Sequence, residues 1–114
     1  MNTVVLVTRD GLGHVGPQDH AFGFEMFDRF LHALESQPVK PKAICFYTDG
    51  VKLTCEGSPV LPGLQLIQGM DVRLLSCRTC LDYFRITEKV AVGEVSTMNE
   101  IVAVLMAADK VITI

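Results

Sequence analysis

Five short apolar runs rich in β-branched residues punctuate the chain: Thr3 to Thr8, Lys42 to Thr48, Asp71 to Ser76, Val90 to Val95 and Val111 to Ile114. The fourth, carrying Gly93, reads as a short strand or an extended segment. Stretches with helical spacing or turn residues separate them. Strands alternating with helices from end to end predict an α/β layered fold with a mostly parallel sheet. The 114 residues match the usual size of one domain, and no linker, internal repeat or low-complexity tract divides residues 1–114.

The helical stretches have their own punctuation. Asp19 is placed to cap a helix in which Phe22, Met26, Phe30 and Leu34 form an apolar stripe, with Phe27 and Leu31 beside it. Pro38 and Pro41 end it. Ser58-Pro59 reads as a second helix start, Leu61, Leu64 and Ile67 give that helix its apolar face, and Gly69 stops it. Thr97-Met98-Asn99-Glu100 is a capping box for a further helix, with Ile101, Val102, Leu105 and Met106 expected inward. Asp109-Lys110 ends it.

Charge and hydropathy exclude several partners. A net charge of -3 with 20% charged residues leaves no basic patch for nucleic acid and no polybasic tract for a membrane surface. No apolar run reaches the length of a membrane span. Met1-Asn2-Thr3 followed by Val4 to Val7 lacks the charged start and cleavage site of a signal peptide and reads as a first strand. The four cysteines (Cys45, Cys55, Cys77 and Cys80) are therefore expected as free thiols in a reducing cytoplasm. A 49% hydrophobic composition and a mean hydropathy of +0.34 are high for a small monomer, so a homo-oligomer is expected.

Leu74-Leu75-Ser76-Cys77-Arg78-Thr79-Cys80-Leu81-Asp82-Tyr83 concentrates the chemistry. Its apolar part reads as a buried parallel strand, which puts Cys77 at the sheet's C-terminal edge, where ligands and reactive groups gather in open α/β sheets. Helix-start amides and Arg78 would favour a thiolate there, and a short helix is expected from Leu81 to Phe84. The Cys77-x-x-Cys80 spacing suits a redox pair, a persulfide carrier with a resolving thiol, or two ligands of a metal site. The bland alternative is two small apolar residues packed under the sheet edge. Zinc needs a second pair or suitably spaced histidines. Cys45 and Cys55 lie ten residues apart and His14, His20 and His32 far upstream, so no metal is expected. Asp82 is placed to cap or orient the helix after the cysteines, and Cys55 lies in a loop that could approach Cys77. Tyr83 and Phe84 read as core or interface.

Gly11-Leu12-Gly13-His14-Val15-Gly16 spells a dinucleotide-binding fingerprint after a strand. Pro17 and Asp19 start the helix after the third glycine rather than within the motif, and no acidic residue follows at the right distance. The stretch reads as a flexible loop, with His14 and His20 as solvated rim residues, and no cofactor is expected.

Three segments carry a resemblance. Gly50 to Leu61 (GVKLTCEGSPVL), Leu75 to Phe84 (LSCRTCLDYF) and Val92 to Met98 (VGEVSTM) resemble the DsrE/DsrF-like family, in the form found in the C-terminal module of YedF-type proteins of sulfur and selenium metabolism. The resemblance covers nearly the whole chain and is densest from Gly50 onward. It implies a three-layer α/β/α sandwich with a mostly parallel five-stranded sheet, assembly into trimers or hexamers, and sulfurtransferase-like relay of sulfur or selenium as a cysteine persulfide. Cys77 and Cys80 fall on the family's paired cysteines. Arg78 replaces the glycine between them, which stiffens the turn and adds charge. Fused relatives carry a sulfur-carrier domain before the module; a stand-alone chain is expected either to take sulfur from a separate donor protein and pass it to an acceptor protein, or not to transfer sulfur.

These readings lead to a sulfur relay in which Cys77 is the reactive thiolate, Arg78 stabilises the anion and Cys80 resolves or shares the sulfur. Two competitors remain: a non-enzymatic oligomeric binding or assembly module, and a thiol–disulfide redox protein using the same pair.

Overall fold

The computed structural model describes residues 1–16 and 18–114. Pro17, read above as helping to delay the first helix, lies outside them. Five strands, β1 (Thr3–Val7), β2 (Ala43–Phe46), β3 (Arg73–Cys77), β4 (Glu94–Ser96) and β5 (Lys110–Thr113), form one sheet in the order β4-β3-β2-β1-β5. All four pairings are parallel. Four helices connect them: α1 (His20–Glu35), α2 (Leu61–Gln68), α3 (Arg78–Phe84) and α4 (Met98–Ala107). The expected α/β architecture with a parallel five-stranded sheet is what the chain adopts.

Topology sets the layers. From β1 to β3 the chain steps one way across the sheet, so right-handed crossovers put α1 and α2 on the same face, where they pack together. From β4 it steps back over three strands to β5, which puts α4 on the opposite face. Buried on both faces, the central strands read as continuous apolar runs: Val4 to Val7, Ala43 to Phe46 and Leu74 to Cys77 are all buried.

Four expectations about helices are corrected. The buried line of α1 is Gly23, Phe27 and Leu31, and Phe22, at the head of the expected stripe, is 49% exposed. Spacing identified a helix with an apolar side, and Gly23 on its buried line lies close to the Gly11 backbone. Helix α2 begins at Leu61 rather than at Pro59, with Pro62 in its first turn, where a missing N–H costs nothing. Arg78 opens α3 directly after Cys77, so Cys80 is a helical residue and not part of a preceding turn. On α4, Ile101 is buried, but Val102 is 45% and Met106 81% exposed. The Thr97 cap is present, its hydroxyl accepting the Glu100 N–H at 3.1 Å.

The segment between β2 and α2 forms a 3-10 stretch, Thr48–Thr54. Gly50 lets it lie against β1, because a Cβ there would collide with the Val7 carbonyl. This close approach brings Thr48 over the C-terminal ends of β1 and β3.

Candidate active site

Cys77 is the last residue of β3, in register with Ser96 of β4, and is only 1% exposed. Cys80 lies one turn into α3 and is partly exposed. All four cysteines are free thiols. Cys45 is enclosed in β2, and burial pushes its thiol up to about 11.

Among the described residues, one main-chain amide reaches a sulfur of the pair, and it belongs to Thr48. Its N–H donates to Cys80 Sγ at 3.0 Å. Thr48 has φ +51, a left-handed conformation uncommon for a β-branched residue. Its hydroxyl contacts the carbonyls of Thr8 at 2.9 Å and Tyr47 at 2.7 Å, which ties the strained residue to the end of β1. Burial pushes the Cys80 thiol above its ordinary range. The Thr48 N–H opposes that shift, and the adjacent Cys77 thiol adds to it.

A second contact fastens the same two segments. Lys52 Nζ lies 4.2 Å from the centre of the Phe84 ring and pairs with Asp49 at 2.8 Å. Both contacts join α3, through Cys80 and Phe84, to the 3-10 stretch, through Thr48 and Lys52. Leu81, fully buried, anchors α3 from beneath.

The other expected site residues lie apart from this contact. Arg78 is exposed and makes no ion pair among the described residues. Helix α3 has only seven residues, which limits the dipole expected to help Cys77. The Asp82 carboxylate accepts the Thr87 hydroxyl and so fixes the short turn after α3 rather than the cysteines. The Cys55 thiol donates weakly to the carbonyls of Val51 at 3.5 Å and Ile86 at 3.9 Å. Burial raises its pKa, and it makes no hydrogen bond to Cys77 or Cys80 among the described residues. Its neighbour Thr54 connects instead to Ser76 of β3, oxygen to oxygen at 3.0 Å.

A polar cavity of 240 Å³ is lined by Arg9, Asp10, His14, His20 and Asp49 among others. Asp49 directly follows Thr48, so the glycine-rich loop and the cysteine pair share one rim of the sheet. Among the described residues no helix opens within Gly11 to Gly16, and α1 begins at His20. Sequence reasoning missed Thr48 altogether. Nothing in Tyr47-Thr48-Asp49-Gly50 marks a left-handed threonine, and the only hint is the glycine two residues later.

Searches for similar proteins delimit what this geometry resembles. No protein-family model matches the chain. No curated protein sequence matches it either. Solved structures do. The fold is similar to that of YchN from E. coli, at 18% identity and a TM-score of 0.68 with both chains fully covered. It is also similar to MTH1491 from Methanobacterium thermoautotrophicum, a protein of unknown function, at 15% identity and a TM-score of 0.69 over the whole of both chains. BT1422 from Bacteroides thetaiotaomicron, likewise of unknown function, matches 99% of this chain with 95% of its own, at 14% identity and a TM-score of 0.68. At these identities the likeness is one of fold.

Proposed function

We propose that this chain is a cytoplasmic DsrE/DsrF-like protein of the YedF type that relays sulfur, or selenium, as a persulfide on the Cys77/Cys80 pair. The observation that carries the reading is the thiol pair itself: two free cysteines at the end of a parallel strand, one buried, the other partly exposed and held by a backbone N–H. An N–H donor stabilises an anionic sulfur, and an exposed thiol can meet a protein-bound donor. The sequence resemblance from Gly50 onward and the fold likeness support the same reading. Transfer runs from a donor persulfide to the pair and then to an acceptor thiol, each step a displacement at sulfur.

Incubation with a cysteine desulfurase and cysteine, followed by intact-protein mass spectrometry, tests it. The expected result is a sulfur adduct on the parent that is lost in the Cys77→Ser/Cys80→Ser double variant. An adduct retained in the double variant refutes the pair as the carrier, and its absence from the parent refutes the relay with this donor class.

A second reading, an assembly module, draws on the exposed apolar residues of α4 and β5, Met98, Val102, Met106 and Val111. We infer that this face joins copies of the chain into a homo-oligomer. Light scattering at micromolar concentration is expected to give a multiple of the 12.5 kDa chain mass, and Met106→Asp a lower one. A monomeric parent refutes the inference.

A further inference from the structure

We propose that Cys80, positioned by Thr48, and not the strand-end Cys77, is the thiol that first accepts sulfur. The assignment rests on the persulfide-carrier reading and divides the labour within the pair. Displacement at sulfur needs an attacker that can approach the donor's S–S bond in line, and access governs its rate as well as thiolate content. Cys77 is 1% exposed and enclosed by β4 on one side and α3 on the other, so a protein-bound persulfide reaches it only after local opening. Cys80 is partly exposed on the rim that carries the polar cavity.

Thr48 completes the assignment. Its N–H points at Cys80 Sγ from 3.0 Å, a donor for the negative charge of the attacking thiolate. Holding a β-branched residue at φ +51 opposes its intrinsic preference, and such strain persists where the surroundings over-determine it. Here the surroundings are the hydroxyl contact to the Thr8 carbonyl and the tight seat of Gly50 on Val7. Thr48 is thus a positioning residue, acting through its amide on Cys80.

The chemistry balances without an outside oxidant or reductant. Cys80 sulfur attacks the terminal sulfur of a donor persulfide, forming a new S–S bond on Cys80. The donor's own S–S bond breaks, and the donor leaves as a thiol with the proton that Cys80 gives up. Cys77 remains a thiol beside the loaded residue.

The test uses the full chain and glutathione persulfide as the probe, with quenching by iodoacetamide and peptide mapping at short times. The expected result is sulfur on the Cys80 peptide first and no early loading in Cys80→Ser. In the Cys77→Ser background, Thr48→Val keeps the shape but loses the hydroxyl anchor. It is expected to slow Cys80 alkylation about tenfold near neutral pH and move its pH–rate profile to higher pH. Thr48→Gly, which adopts positive φ freely, is expected to keep the parental profile. First loading on Cys77, with Cys80→Ser at the parental rate, overturns the assignment and leaves the relay standing. Sulfur on neither cysteine overturns both. An unchanged profile in Thr48→Val overturns the positioning role whatever the sulfur data show.

Discussion

Gly93 offers a quantitative test of how β4 is seated on the sheet. The residue has φ +77, and a Cβ built there would lie 2.6 Å from the Leu74 carbonyl oxygen and 2.7 Å from Leu74 Cβ. Gly93→Ala therefore carries two costs. A left-handed backbone costs an L side chain about 1–2 kcal/mol. Forcing a methyl into a filled contact adds about 1–3 kcal/mol, because the obstacle includes backbone of β3 that cannot rotate away. The sum, about 2–5 kcal/mol, is a large share of the ~5–15 kcal/mol that holds a domain folded. Gly57 is a matched control. Its φ is +89, and an added Cβ meets nothing within 4 Å. Gly57→Ala carries the conformational cost alone. Urea unfolding of both variants and the parent, followed by circular dichroism, gives the two losses, and their difference isolates the collision. Equal losses would refute the reasoning, since the packing of Gly93 against Leu74 would then contribute nothing.

Two further outcomes follow from buried groups and caps. Burial holds the Cys45 thiol up to about 11, outweighing the nearby Arg73 charge that lowers it. The folded state thus favours the neutral thiol. The resulting stability, about 2–3 kcal/mol, is full below the ordinary value of 9.0 and is lost as pH rises from there towards 11. In urea titrations across that window the parent should lose more stability than Cys45→Ala, and parallel curves would contradict the assignment. Thr97→Ala removes the hydroxyl that accepts the Glu100 N–H. A loss of about 1 kcal/mol in the same assay is expected, and no loss would mean that solvent replaces the cap without cost.

Much of the architecture was legible in the residues because strands buried on both faces must be apolar throughout, as Val4 to Val7 and Ala43 to Phe46 are. The cysteine pair was equally legible, since Leu74-Leu75 leads straight to Cys77. Which face a helix buries was harder. In α4 apolar residues occur on every side, so spacing could not separate Ile101, which is buried, from Met106, which is not. The Thr48 amide was invisible for a different reason. A backbone N–H belongs to every residue except proline, and its direction comes from a φ set by contacts distant in sequence, those of Thr48 with Thr8 and of Gly50 with Val7. Arg78 illustrates the converse, since a cation adjacent in sequence extends into solvent while the 3-10 stretch supplies the donor.

The pairing of β5 with β1 has a practical bearing on how the molecule can be handled. Asn2 bonds Asp109 at 2.7 Å beneath the sheet, while the Ile114 carbonyl accepts the Thr8 N–H at 3.0 Å on the upper rim. Thr8 in turn holds the Thr48 hydroxyl through its carbonyl. A purification handle or reporter joined after Ile114 would therefore emerge at the edge where the thiols open, two residues removed from Cys80 through hydrogen bonds. The same handle joined before Met1 would leave from the far edge of the sheet. Assays of the thiols on a C-terminally tagged chain would report on the tag as well as on the protein, and an N-terminal attachment point avoids that interference.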